Sequence, residues 1–269
     1  MRPHDHIGWV FAGQDEFEAL AWPFLAEGAQ LGERLMYVAA DPGPAAARLG
    51  NMLGSDAVRV ASIAEVYGAS GIVDATAQRA TFAAALTEAQ AEGYSGIRVA
   101  ADNTPLVTDE VRLAAWLRWE ITADRFMSEH PVTGLCAFDG GKVDINRLRH
   151  LATLQPLASA GGPAPQYRLF TDAGNLSVEG QIDSFAVSQF RLVLDVLPPK
   201  TGVLIDLMAA TLTSRAPLAG LRRLAGTGVT VTLRGEPAAL AELAAIGGQT
   251  CEHLILESAQ PTMTPAVKD

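Results

Sequence analysis

Residues 5–41, DHIGWVFAGQDEFEALAWPFLAEGAQLGERLMYVAAD, decide the fold. Ile7 to Ala12 is a short apolar run that ends at Gly13. Asp15 and Glu18 then stand at the D-x-x-E spacing of a capping box, which predicts that a helix opens there. Phe17, Leu20, Phe24, Gly28 and Leu31 recur at helical spacing, so one face of that helix is expected on a core. Gly32 is placed to help end it, and Arg34 to Ala40 (RLMYVAA) reads as a buried strand. Strand, helix, strand in this order is a βαβ unit.

The alternation continues outward. Helices are expected near 44–53, 76–92, 109–127 and 144–154, with strands near 57–61, at Gly96–Ala101 and at Val132–Phe138. The expected fold is α/β, a parallel sheet with helices on both faces. Pro156 to Pro165 (PLASAGGPAP) has no periodicity and reads as an interdomain linker. Beyond it, Tyr167–Thr171 and Leu176–Val178 read as paired strands turning at DAGN, and Ile182–Leu197 as a helix. Gly202–Leu207 (GVLIDL) is an apolar strand with Asp206 near its end. A helix near 217–226, a strand at Val229–Leu233, a helix near 237–246 and a strand at His253–Glu257 follow. The expected division is a first domain at 1–155, a linker at 156–166, a smaller α/β domain at 167–257 and a flexible tail at 258–269.

The chain of 269 residues is 49 % hydrophobic and carries a formal charge of −10, with no basic cluster. That balance argues against a nucleic-acid partner, which needs a basic footprint. No apolar run approaches the roughly 20 residues that span a bilayer. With no signal-peptide pattern either, the expected location is the cytoplasm, with no membrane partner. Cys136 and Cys251, one in each half and without CxxC spacing, read as buried thiols.

The first half resembles the MEDS sensory domain of methanogen and methylotroph regulators. The matching stretches are DHIGWVF at 5–11, PFLAEGAQLGERLMYVAAD at 23–41, RVAAD at 98–102, WE at 119–120 and LCAFD at 135–139, with His150 at the family's terminal histidine. The resemblance implies sensing of small hydrocarbon derivatives, and a RecA-type sheet whose nucleotide machinery is worn away. The loop after the first strand supports that loss. A working phosphate loop needs G-x-x-x-x-G-K-[ST], glycines to bring backbone N–H groups to the phosphates and a lysine to reach them. Gly13-Gln14-Asp15-Glu16-Phe17-Glu18 has no second glycine, no lysine and three carboxylates, which would repel a triphosphate by several kcal/mol. No catalysis and no cofactor are expected.

What is expected to remain is a pocket at the carboxyl ends of the strands. Its candidate lining is His6, Trp9, Gln14, Asp102, Asn103 and Glu120. Asp102 stands near the position of a magnesium-orienting carboxylate in the RecA fold. Glu120, flanked by apolar residues in LRWEI, is a candidate for a raised pKa. His4 and His6 alternate on a strand and could meet one metal with Asp102, Glu120 or His150 as a third ligand. No spacing demands this, and no metal site is expected. For His6, a buried histidine bonded to a carboxylate is the alternative to ligand contact.

The second half resembles the STAS domain of anti-sigma-factor antagonists, through LSVEGQID at 176–183, VLIDL at 203–207, the helix after Ser214 and VTVTLRGEPAAL at 229–240. The resemblance implies an anti-sigma factor or kinase-like protein as partner. Where that family carries a phosphorylatable D-S-S-G or D-S-T-G loop, this chain has Ser214-Arg215-Ala216-Pro217. Ser214 and Thr213 are the adjacent hydroxyls, and Ser214 serves equally as a helix cap. The expected function is therefore a non-catalytic signalling regulator with a small apolar ligand or a protein signal. A RecA-related nucleotide-binding enzyme and a ligand-free structural adaptor are the rival readings. The oligomeric state is open, a homodimer included.

Overall fold

The structure, a computed structural model, describes residues 6–53, 58–154, 157–160, 167–172, 175–182, 202–212, 221–223, 225–246 and 252–259. The chain divides into two compact units, Met1–Phe170 and Thr171–Asp269.

In the first unit the strands are β1 (His6–Phe11), β2 (Arg34–Ala39), β3 (Val58–Ser62), β4 (Ile97–Asp102), β5 (Val132–Asp139) and β6 (Leu157–Ala160). The helices are α1 (Gln14–Gln30), α2 (Gly43–Leu53), α3 (Ile63–Tyr67), α4 (Ala75–Ala91), α5 (Glu110–Glu129) and α6 (Ile145–Leu154). The sheet runs in the order β3-β2-β4-β5-β1-β6, and its described pairs are parallel. Every residue of β4 and β5 is buried, the polar Arg98, Asp102, Thr133 and Asp139 among them, as expected of central strands covered on both faces.

Strand alternation sorts the core. Ile7, Phe11, Leu35, Tyr37, Ala39, Ala100, Leu135 and Ala137 pack with Phe17, Ala21, Phe24 and Leu25 of α1 and Ala45 and Leu49 of α2. The intervening strand residues face α3, α4 and α5, where Tyr67, Phe82, Trp116, Trp119 and Phe138 make edge-on and stacked ring contacts. This is the layer expected, a parallel sheet with helices on both faces.

Helix starts follow local chemistry. Asp74 caps α4 by accepting from Thr76 and Ala77 N–H, Asp109 caps α5 by accepting from Arg112 N–H, and Ser62 with Glu65 forms a capping box on α3. The capping box expected at Asp15–Glu18 does not form. Helix α1 starts two residues earlier, after Gly13 at φ +82°, without a side-chain cap. Asp15 sits inside the first turn, and Glu18 is buried and drawn to other partners.

The stretch expected as an irregular linker supplies β6, which runs parallel to β1 with Ile7 opposite Leu157. Its LASA sequence carries one large apolar side chain, too little for a periodic signal, but edge pairing needs backbone rather than side chains.

A smaller sheet runs in the order β11-β10-β9-β8-β7, from β7 (Tyr167–Asp172), β8 (Asn175–Ile182), β9 (Gly202–Leu212), β10 (Thr230–Gly235) and β11 (Leu254–Ser258), with α7 (Pro237–Ile246). Strands β8 to β11 run parallel. Of the helix expected at 182–197, Ile182 ends β8, and the remainder, like Thr213, Ser214 and His4, lies outside the described residues. Among the described residues no helix is long and apolar enough to cross a membrane.

Candidate functional site

The six residues expected around one pocket fall on two faces of the sheet. His6 and Trp9 are an odd number of residues apart on β1, so alternation sends them to opposite sides. Trp9 packs against the α1 core, and its indole N–H has no hydrogen-bond partner among the described residues.

Gln14, at the start of α1, reaches two groups of that same face. Its amide donates to the Tyr37 hydroxyl at 2.9 Å and to Glu18 at 3.1 Å, and Arg48 closes on Glu18 at 2.6 Å. Burial pushes the Tyr37 hydroxyl pKa well up, and the charges of Glu18 and Asp102 add to it against the Gln14 bond. Asp102, at the end of β4, is buried, accepts from Thr104 N–H at 3.1 Å, and has a raised pKa because burial disfavours its charge.

In the loop between β1 and α1, the Ala12 N–H donates to Glu16 Oε2 at 2.8 Å, so this backbone donor is occupied by the chain's own carboxylate. A groove of about 390 Å³ lies elsewhere, against α4, lined by Arg34, Met36, Arg59, Glu88 and Ile97.

His6, Asn103 and Glu120 meet on the opposite face with a residue that sequence reasoning left as a mere buried thiol, Cys136. His6 opens β1, Cys136 is central in β5 and Glu120 lies midway along α5. His6 Nε2 is 3.0 Å from Glu120 Oε2 and 3.5 Å from Cys136 Sγ. Their exposures are 2 %, 0 % and 8 %, so water does not compete for these groups. Behind the imidazole, Nδ1 is 3.6 Å from Asp124 Oδ1.

The cluster is electrostatically tense. Burial works against a charge on His6, but the Glu120 carboxylate and hydrogen bonds with Asp124, Cys136 and Glu120 outweigh it, and the imidazole pKa is raised well above its ordinary value. Burial, then the Glu120 charge, pushes the Cys136 thiol up, with His6 and Asn103 opposing. Among the described residues, both Glu120 oxygens, His6 Nδ1 and both polar atoms of Asn103 lack a hydrogen bond of good geometry. Neither Asp102 nor His150 joins the His6–Glu120–Cys136 group.

Cys136 left a weak trace in the sequence. It stands in the LCAFD stretch opposite Gly8 of β1, so β1–β5 pairing would have brought it near His6. That pairing is a non-local fact, invisible to local periodicity.

No curated protein and no solved structure matches this chain. The family model described as "MEthanogen/methylotroph, DcmR Sensory domain" (MEDS) matches residues 5–156. That span takes in the β1–α1 loop, Asp102 and the whole His6–Glu120–Cys136 cluster, while the STAS likeness of the second unit has no counterpart among these matches. The chain belongs to the MEDS family of sensory domains.

Proposed function

We propose that the protein is a non-catalytic signalling regulator. Its first unit reads a small molecule or protein signal, and its second unit, as a STAS-like domain, docks an anti-sigma factor or a similar kinase-type partner. The observation that carries this reading is the Glu16–Ala12 bond. A loop whose donor is taken by its own carboxylate, beside Asp15 and Glu18, offers no seat to a triphosphate. Membership in a sensory family and the parallel β8–β11 sheet, with Asp206 within β9, agree with it. The signal requires a coupling free energy between the units of order ~1–3 kcal/mol.

The test is a pull-down from native cytosol with the intact chain, read by mass spectrometry, alongside a thermal-shift assay. An anti-sigma factor or kinase-like protein in the eluate supports the reading. Retention of no protein sinks partner docking. Mg-ATP at about 1 mM should leave the melting temperature unchanged, whereas a shift of several degrees would mean binding far tighter than that concentration and revive the nucleotide enzyme.

A further inference from the structure

We infer that His6, Glu120 and Cys136 form a zinc-class metal site with an open fourth position. One imidazole nitrogen faces both a carboxylate oxygen and a thiol sulfur, at 3.0 and 3.5 Å, and all three donor atoms lie within 4.8 Å of one another. A single Nε2 proton makes one good hydrogen bond, so it does not account by itself for both contacts. A metal ion bound between the three atoms does. Tetrahedral zinc, with bonds of roughly 2.0–2.3 Å, places neighbouring ligand atoms roughly 3.3–3.6 Å apart, so both contacts of His6 Nε2 lie within a few tenths of an ångström of that spacing, and the carboxylate and thiol need only close on each other from within 4.8 Å.

The unmet hydrogen-bonding capacity supports a ligand. Glu120 is fully buried, and among the described residues Oε2 meets only His6 Nε2, at 3.0 Å and outside good hydrogen-bond geometry, while Oε1 has no hydrogen bond. Such a group is costly to keep unless something else satisfies it. Asn103 is buried beside the thiol, and its two polar atoms make no hydrogen bond of good geometry among the described residues.

The donor set selects the metal. Imidazole and thiolate are poor ligands for magnesium or calcium, which take oxygen. One nitrogen, one sulfur and one oxygen suit zinc, and three protein ligands leave a position for water or an exogenous donor. Charge agrees too: Zn²⁺ with one thiolate, one carboxylate and a neutral imidazole sums to zero, as a buried site requires. Asp124, 3.6 Å from Nδ1, stands where a carboxylate commonly orients a metal-bound histidine through its second nitrogen. The open position would take a small oxygen or sulfur donor.

The site stands independently of partner docking, since a metal titration is unaffected if no protein is captured. The test uses the full chain, stripped with chelator and titrated with Zn²⁺ and, separately, Co²⁺. One equivalent should bind, and cobalt should give a near-ultraviolet sulfur-to-metal charge-transfer band. Cys136 and Cys251 are the chain's two cysteines, so the band must persist in Cys251→Ser and vanish in Cys136→Ser. Glu120→Gln should weaken binding, and Asp124→Asn should weaken it about 10–100-fold. Persistence in Cys251→Ser assigns the thiolate even if the Cys136 variant does not fold. Absence of the band from wild-type protein, or its loss in Cys251→Ser, overturns the assignment.

Discussion

Arg98 Nε donates to Glu33 Oε2 across 2.5 Å, with both side chains buried beside α1. The guanidinium also donates to Phe24 O at 3.2 Å and to Glu27 at 3.0 Å, and lies over the Phe24 ring. Arg98 keeps Glu27 if Glu33 is lost, but Glu33, buried against Arg98, is stranded if the guanidinium is removed. Arg98→Met should therefore cost about 3–5 kcal/mol, and adding Glu33→Leu should recover much of it. Urea unfolding followed by tryptophan fluorescence checks this, because Trp9, Trp22, Trp116 and Trp119 all lie in the first unit.

Gly28 faces the same guanidinium stem. A Cβ there would come within 2.6 Å of Arg98 Cδ and 2.8 Å of Leu35 Cδ2. Gly28→Ala should destabilise by about 1–3 kcal/mol through overpacking, despite alanine's better helix propensity. A lowered melting temperature is the expected result.

Tyr37→Phe removes the acceptor of the Gln14 amide and should cost about 1 kcal/mol near neutral pH. Burial raises the tyrosine pKa on folding. The stability that the neutral hydroxyl contributes is therefore complete below its ordinary value near 10 and is lost as pH rises through the folded value. The deficit of the phenylalanine variant should shrink, or reverse, in strong alkali. Denaturation of both proteins at neutral and alkaline pH measures this.

Asp102 follows the same sign at the acid end. Its folded pKa is raised, first by burial, so the contribution of its protonated form is full below about 3.9 and is lost as pH rises through the folded value. Asp102→Asn keeps an acceptor for the Thr104 N–H and drops the charge. Its melting temperature should exceed wild type at pH 7, with the gap closing towards pH 4.

Asp74 accepts two N–H groups at the head of α4, each at 2.9 Å. Asp74→Ala should cost about 1 kcal/mol, and Asp74→Ser should cost little. Chemical denaturation of the two variants separates the cap from any other role.

Much of this architecture was legible locally. Apolar runs such as RLMYVA and the run from Val132 to Phe138 announce buried strands, and Gly32 at φ +71° ends α1 where its position in the sequence suggested. Glu16 and Glu18 were visible as obstacles to phosphate, but that Glu16 would fold back on Ala12 N–H was not. Alternation alone would have separated His6 from Trp9. What it could not supply was the third dimension: Glu120 meets His6 because α5 crosses β1 and β5, and Cys136 joins them through a pairing 130 residues apart in sequence.

The short strand β6 bears on how this protein can be handled. The family match stops at residue 156, but the sheet continues to Ala160, whose backbone covers the outer edge of β1. A fragment trimmed to the family boundary would bare that edge beside Ile7 and Trp9, an invitation to strand addition between copies. Expression designs should keep the chain at least through Ala160, and clumping of a shorter fragment would reflect an uncovered seam rather than an unstable sensor.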